Sequence, residues 1–220
     1  MPTKSFNTET VMRLPDILSR LVTILLHPLL MPVYCSLWLL YTPTPYSNMS
    51  LGLNIQTLVL VGVFACLIPL MAIGVFILSG RVSDLEMPTA RERVEPLLCS
   101  ALVIGGSLIF LISRVPRPVA GMLCGESIAL FFAAFCSFFW KISLHAIGSG
   151  AFLSFVSVLG ICYHQDFSFI AAIAFVAAGL TGWTRLYEEA HTPLQLFAGY
   201  MLGVAVMGIV MNFIMMRPVF

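Results

Sequence analysis

Two histidines and an arginine are the residues of this chain best suited to chemistry. Arg185 stands six residues before His191 in the segment Thr184-Arg185-Leu186-Tyr187-Glu188-Glu189-Ala190-His191-Thr192-Pro193-Leu194-Gln195. A guanidinium clamps a phosphate through two parallel hydrogen bonds, and an imidazole at a helix start can attack phosphorus or relay protons. A second histidine follows Lys141-Ile142-Ser143-Leu144, as His145, ahead of Gly148-Ser149-Gly150. Lys141 and Ser143 are phosphate-contact types. Gly148 and Gly150 would let a helix N-terminus approach an anion closely, and His145 is placed as a general acid. The competing reading makes Arg185 a helix anchor, His191 a packed side chain and the Gly-Ser-Gly a helix-packing patch.

Other polar residues invite a role. Glu126 lies deep in an apolar run, where a charge costs roughly 2.5 to 3.5 kcal/mol, so it needs a partner or a proton. His27-Pro28 sits early in the first apolar run, and Pro28 and Pro32 should kink that helix. His27 reads chiefly as a helix-end side chain hydrogen-bonded to a freed carbonyl, and secondly as a site residue. The six cysteines show no CxxC pairing, and the methionines of the last run read as lipid-facing filler. Acidic residues do not cluster with the histidines at ligand spacing, so a site without metal or cofactor is expected.

The elements that must position these residues are membrane spans. The chain has 220 residues, 60% of them hydrophobic and only 10% charged, with a mean hydropathy of +1.00. Soluble domains carry roughly 25% charged residues. Apolar runs of spanning length occur at 19–41, 56–79, 96–112, 118–140, 147–163, 167–183 and 193–216. They are continuously apolar rather than alternating, which excludes a β-barrel and predicts an all-α polytopic bundle of six to seven spans. A polar segment at 1–18 precedes one membrane domain at 19–220. The first run is too long, and lacks a cleavage site, for a signal peptide. Three polar loops, 80–95, 141–146 and 184–192, are separated by pairs of spans and so emerge on one membrane face.

Together, Ile142-Ser143-Leu144-His145 and Thr184-Arg185, five residues, His191, three residues, Gln195 resemble the second and third motifs of the type 2 phosphatidic acid phosphatase superfamily, PSGH and SR-x5-H-x3-D. Phe197-Ala198-Gly199-Tyr200 resembles that family's small-residue helix start, and the resemblance covers about 80–203. It implies that His191 is the nucleophile, forming a phosphohistidine. It also implies that His145 protonates the leaving group and that Arg185 and Ser143 hold phosphoryl oxygens. The first motif, K-x6-RP, is absent as such. Arg91 and Arg93 before Glu95-Pro96 are the nearest replacement, with Lys141 as a further cation. Gln195 stands where the family has the Asp that orients the nucleophile, with Glu188 or Glu189 as substitutes. The resemblance therefore implies a membrane lipid phosphatase, or else an inactive member acting as a membrane binding or scaffold protein.

A net charge of +1 without a basic cluster excludes a nucleic-acid partner. The expected partner is a phosphorylated lipid in the membrane, and the resemblance points to the bacterial cytoplasmic membrane. Lys4, Arg13, Arg20, Arg81, Arg91, Arg93, Lys141 and Arg185 lie on the motif face, against Arg114, Arg117 and Arg217 opposite. That count places the motifs inside. Setting aside the four candidate phosphate ligands leaves four against three and decides neither orientation.

Overall fold

The computed structural model describes residues 13–216. Lys4, Arg217 and most of the polar segment at 1–18 lie outside that range. The described chain is an all-α bundle. Six helices are long and apolar enough to cross a membrane, and a seventh span is formed if a bent helix pair is counted as one.

That pair is the first span. Helix α1 (Leu14–Leu25) and helix α2 (Met31–Tyr41) are separated by a short 3₁₀ turn at Pro28–Leu30 and bent by 40°. Prolines at 28 and 32 each lack a backbone donor, so the kink expected from them is a complete break. Helix α1 begins within the stretch expected to be polar because Leu14, Ile17, Leu18 and Leu21 form an exposed apolar stripe opposite buried Ser19.

The second span runs over Leu51–Leu78 as α3 (Leu51–Val61), a π-helical segment at Gly62–Leu67 and α4 (Ile68–Leu78). It starts earlier than its apolar run because Ser50 caps it, accepting the Leu53 N–H at 3.4 Å. Helix α5 (Ala90–Leu111) likewise begins six residues before the run at 96. Thr89 caps it, with the Glu92 carboxylate taking the Thr89 hydroxyl at 2.8 Å. Arg91 and Arg93 are therefore helical. Helices α6 (Arg117–Ser137), α7 (Leu144–Tyr163), α8 (Ser168–Tyr187) and α9 (Pro193–Met216) complete the bundle.

Close approach of α7 and α9 carries the architecture. A Cβ at Gly199 would lie 2.7 Å from the Ser143 carbonyl oxygen and 2.8 Å from the Ala146 Cβ, and one at Gly150 would lie 2.5 Å from the Tyr200 carbonyl oxygen. Small residues let these helices pack backbone to backbone, the usual means of association in lipid. Gly148 works similarly, against Met31 and the Pro28 Cα. The two glycines thus admit neighbouring helices rather than an anion, correcting the phosphate-approach reading. The methionines of α9 need correction too. Met207 and Met211 are buried, with Gly125 and Gly121 against their sulfurs, so these two fill the core, while Met201 and Met216 are exposed on the bundle surface as expected.

Candidate active site

The three polar loops converge, and named side chains tie them together. Arg93, buried in the first turn of α5, donates to the Met87 and Glu86 carbonyls at 2.8 and 3.1 Å and to the Ile142 carbonyl at 2.8 Å. Lys141 donates from Nζ to the Ala190 carbonyl at 3.0 Å. The first contact fastens the loop before α5 to the loop before α7. The second fastens the loop before α7 to the segment holding His191.

Beneath these ties lies a cavity of about 620 Å³. Its polar end is lined by Arg93, Lys141, Arg185, His145 and His191, with Glu86, Glu188 and Glu189 at the same end. On α5 the lining residues Arg93, Leu97, Ser100 and Ile104 follow one helical stripe, descending about 16 Å at 1.5 Å per residue. Met31, Met122, Phe152 and Met207 make the lower walls apolar. Glu126 lines this part too, with Oε2 buried and unbonded among the described residues.

Thr192 and Gln195 close the N-terminus of α9 reciprocally. The Gln195 N–H reaches the Thr192 hydroxyl at 3.4 Å, and the Thr192 N–H reaches Gln195 Oε1 at 3.0 Å, a capping box. That same Oε1 lies 3.2 Å from His191 Nδ1. Because the oxygen already accepts a backbone N–H, it must also accept from the ring, so Nδ1 carries the proton and the lone pair falls on Nε2. Burial pushes the His191 imidazole down to about 4, helped by repulsion from Arg93 and Lys141 and opposed by the Gln195 bond. The ring is neutral at neutral pH. Burial also lowers the Lys141 ammonium, with Arg93 adding to the effect and Glu86 opposing it.

Arg185 is almost fully buried in the last turn of α8. It bonds Thr23 Oγ1 and the Glu188 carboxylate, and its Nη1 lies 3.9 Å from the Glu86 carboxylate. Its Nε is unbonded among the described residues, leaving a donor for a ligand. Glu188 also accepts the Ser19 hydroxyl at 2.6 Å and the Thr23 hydroxyl at 3.3 Å. It therefore fixes Arg185 to α1 and does not orient His191. Glu189 is exposed at the mouth with a positive φ of 51°.

The other candidates differ in placement. Ser143 is buried, and its hydroxyl caps α7 by accepting the Ala146 N–H at 3.4 Å. Arg91 is exposed and does not line the cavity. His145, in the first turn of α7, lines it with Nε2 unbonded among the described residues. His27 lines it as well, its ring 5.2 Å from that of His145. The i, i+4, i+7, i+11 spacing of Arg93, Leu97, Ser100 and Ile104, and the T-x-x-Q cap at Thr192, are sequence signals that sort Arg93 from Arg91 and explain Gln195. Among the described residues no three His, Cys, Asp or Glu side chains gather as a metal site, and the six cysteines are free thiols.

Helix-end histidines, a buried arginine and an amphiphilic cavity lie together within an α-helical membrane bundle. The family model described as the PAP2 superfamily matches residues 94–218, over half of the chain, and the protein belongs to that superfamily. The match takes in His145, Arg185, His191 and Gln195 and begins one residue after Arg93. No curated protein and no solved structure matches the chain.

Proposed function

We propose that this protein hydrolyses a phosphate monoester or diphosphate of a lipid through a phosphohistidine intermediate, without a metal. The observation that carries this reading is the continuity of one cavity, from a cationic end holding His145, His191 and Arg185 to an apolar lower half inside the bundle. A phosphorylated lipid has the same division. Its phosphate would sit at the level of the helix ends and its hydrocarbon among Leu97, Ile104, Phe152 and Met207, with burial contributing roughly 25 cal/mol per Å² of apolar surface.

The neutral His191 attacks phosphorus from Nε2, while its Nδ1–H stays on Gln195. As the P–O bond breaks, His145 gives its proton to the departing oxygen, and the bound phosphate's negative charge favours the imidazolium this step needs. Water then attacks the phosphohistidine, His145 takes that water's proton, and orthophosphate leaves with His191 restored. Arg185, Arg93 and Lys141 surround the phosphoryl group with positive charge, the main protein contribution to phosphoryl transfer.

A second reading has support in Gln195 and in the grip of Glu188 on Arg185: a silent family member that binds phosphorylated lipids. Purified protein with phosphatidic acid, a phosphatidylglycerol phosphate, a polyprenyl diphosphate and a lipid A phosphate, in chelator, separates the two. The enzyme reading expects phosphate release from at least one that is absent in His191→Ala. No release above that control from any of them leaves the binding reading.

A further inference from the structure

Resting on the enzymatic reading, a third imidazole enters the site. His27 belongs to the break between α1 and α2, and three observations fix where it stands. Its Nδ1 accepts the Leu29 N–H at 3.3 Å, which caps the 3₁₀ turn and leaves the ring proton on Nε2. Its ring lines the polar end of the cavity, perpendicular to the His145 ring at 5.2 Å between centres. Gly148 permits this proximity, since a Cβ there would meet the Pro28 Cα at 3.4 Å and the Met31 Cγ at 3.1 Å. The helix that carries His145 is thereby pressed against the turn that carries His27.

Among the described residues no group hydrogen-bonds the His27 Nε2–H. A donor of fixed tautomer, on a ring that lines a cavity and unsatisfied by protein, is free to serve a ligand there. The contact with the His145 ring does not use it: among the described residues no hydrogen bond joins the two rings, and His145 Nε2 is itself without a partner.

We propose that His27 is a catalytic residue whose Nε2–H donates to a phosphoryl oxygen of the substrate. It would supply from the first span a donor that the chain lacks in its altered stretch before Pro96. The site would then take oxygens from one side through Arg93 and Lys141, and from the other through Arg185 and His27.

Two amide substitutions divide the functions of the ring. Asn carries its Oδ1 as many bonds from Cα as His carries Nδ1, so His27→Asn keeps the cap and loses the cavity donor. Gln carries its amide nitrogen at the distance of Nε2, so His27→Gln keeps the donor and loses the cap. The readouts are kcat/KM for phosphate release, inhibition by orthophosphate, and the thermal midpoint. His27→Asn should melt close to wild type yet lose about 10²-fold in kcat/KM, the scale for one oxyanion donor, with orthophosphate inhibition weakened about tenfold. His27→Gln should melt lower and retain more activity than His27→Asn. Equal activity in His27→Asn and wild type, or a loss in His27→Gln as large as that in His27→Asn, overturns the proposal. Should wild type hydrolyse no lipid, the enzymatic reading fails by itself. Orthovanadate titration then tests His27 separately: weaker binding in His27→Asn than in His27→Gln sustains the role, and equal binding overturns it.

Discussion

Oε1 of Gln195 meets both the Thr192 N–H at 3.0 Å and His191 Nδ1 at 3.2 Å, so one amide oxygen caps α9 and sets the tautomer of His191, the proposed nucleophile. A shorter aspartate would reach the ring but is not the usual partner in such a cap. Gln195→Leu should therefore lose both functions, lowering kcat/KM by about 10- to 100-fold, the range for removing a histidine's orienting partner, and lowering the thermal midpoint. An unchanged kcat with a lowered midpoint would show that only the cap matters.

The pH profile follows from the same ring. His191 titrates near 4 because burial and the Arg93 and Lys141 charges disfavour its cation. Protonated imidazole cannot attack, so kcat/KM should rise with pH through about 4, not through the usual ~6.5. Gln195→Glu keeps the length needed for the cap and puts a carboxylate beside Nδ1. That charge favours the imidazolium, so the acid limb should move to higher pH. A wild-type limb near 6.5, unmoved in Gln195→Glu, would contradict this environment for His191.

Arg185 is held by Glu188, which Ser19 and Thr23 tie to α1. Lysine keeps the charge but not the planar fork. Steady-state kinetics of Arg185→Lys should show a loss of about 10²-fold in kcat/KM, while Glu188→Gln should cost less than Arg185→Lys. A larger loss in Glu188→Gln would make Glu188, not Arg185, the group on which the phosphate depends.

Much of this arrangement is legible in the residue order. Apolar run length identifies the spans, and loop parity brings His145, Arg185 and His191 to one face. What is not legible follows from how helices begin. Polar first turns such as Thr89-Ala90-Arg91-Glu92 project beyond an apolar run, so α5 starts outside the span and only Arg93 turns inward. The Ser143 hydroxyl and the Gln195 amide have capping duties that a motif comparison does not weigh. His27 is bonded at the helix end, but to the Leu29 N–H rather than to a freed carbonyl, and its ring lines the cavity beside His145, where Gly148 gives α7 room against Pro28 and Met31. Packing of that kind is a property of two distant segments, and neither segment alone encodes it.

Contact between α7 and α9 sets the spacing of the two segments that carry His145 and His191. Gly199→Ala puts a methyl against the Ser143 carbonyl and Ala146. Overpacking of this kind costs about 1 to 3 kcal/mol. A lower thermal midpoint in detergent, together with reduced kcat, is expected. A midpoint equal to wild type would show that the helices are not in close contact there.

The most direct test of the account is chemical trapping. Protein mixed with a lipid bearing radiolabelled phosphate and quenched in alkali within a turnover should carry a label that is stable to base, labile to acid and absent from His191→Ala. His145→Ala should still acquire the label, more slowly from a monoester than from a diphosphate, whose leaving phosphate needs little protonation. Phosphate release that persists in His191→Ala, with no trapped label in wild type, would contradict attack by His191.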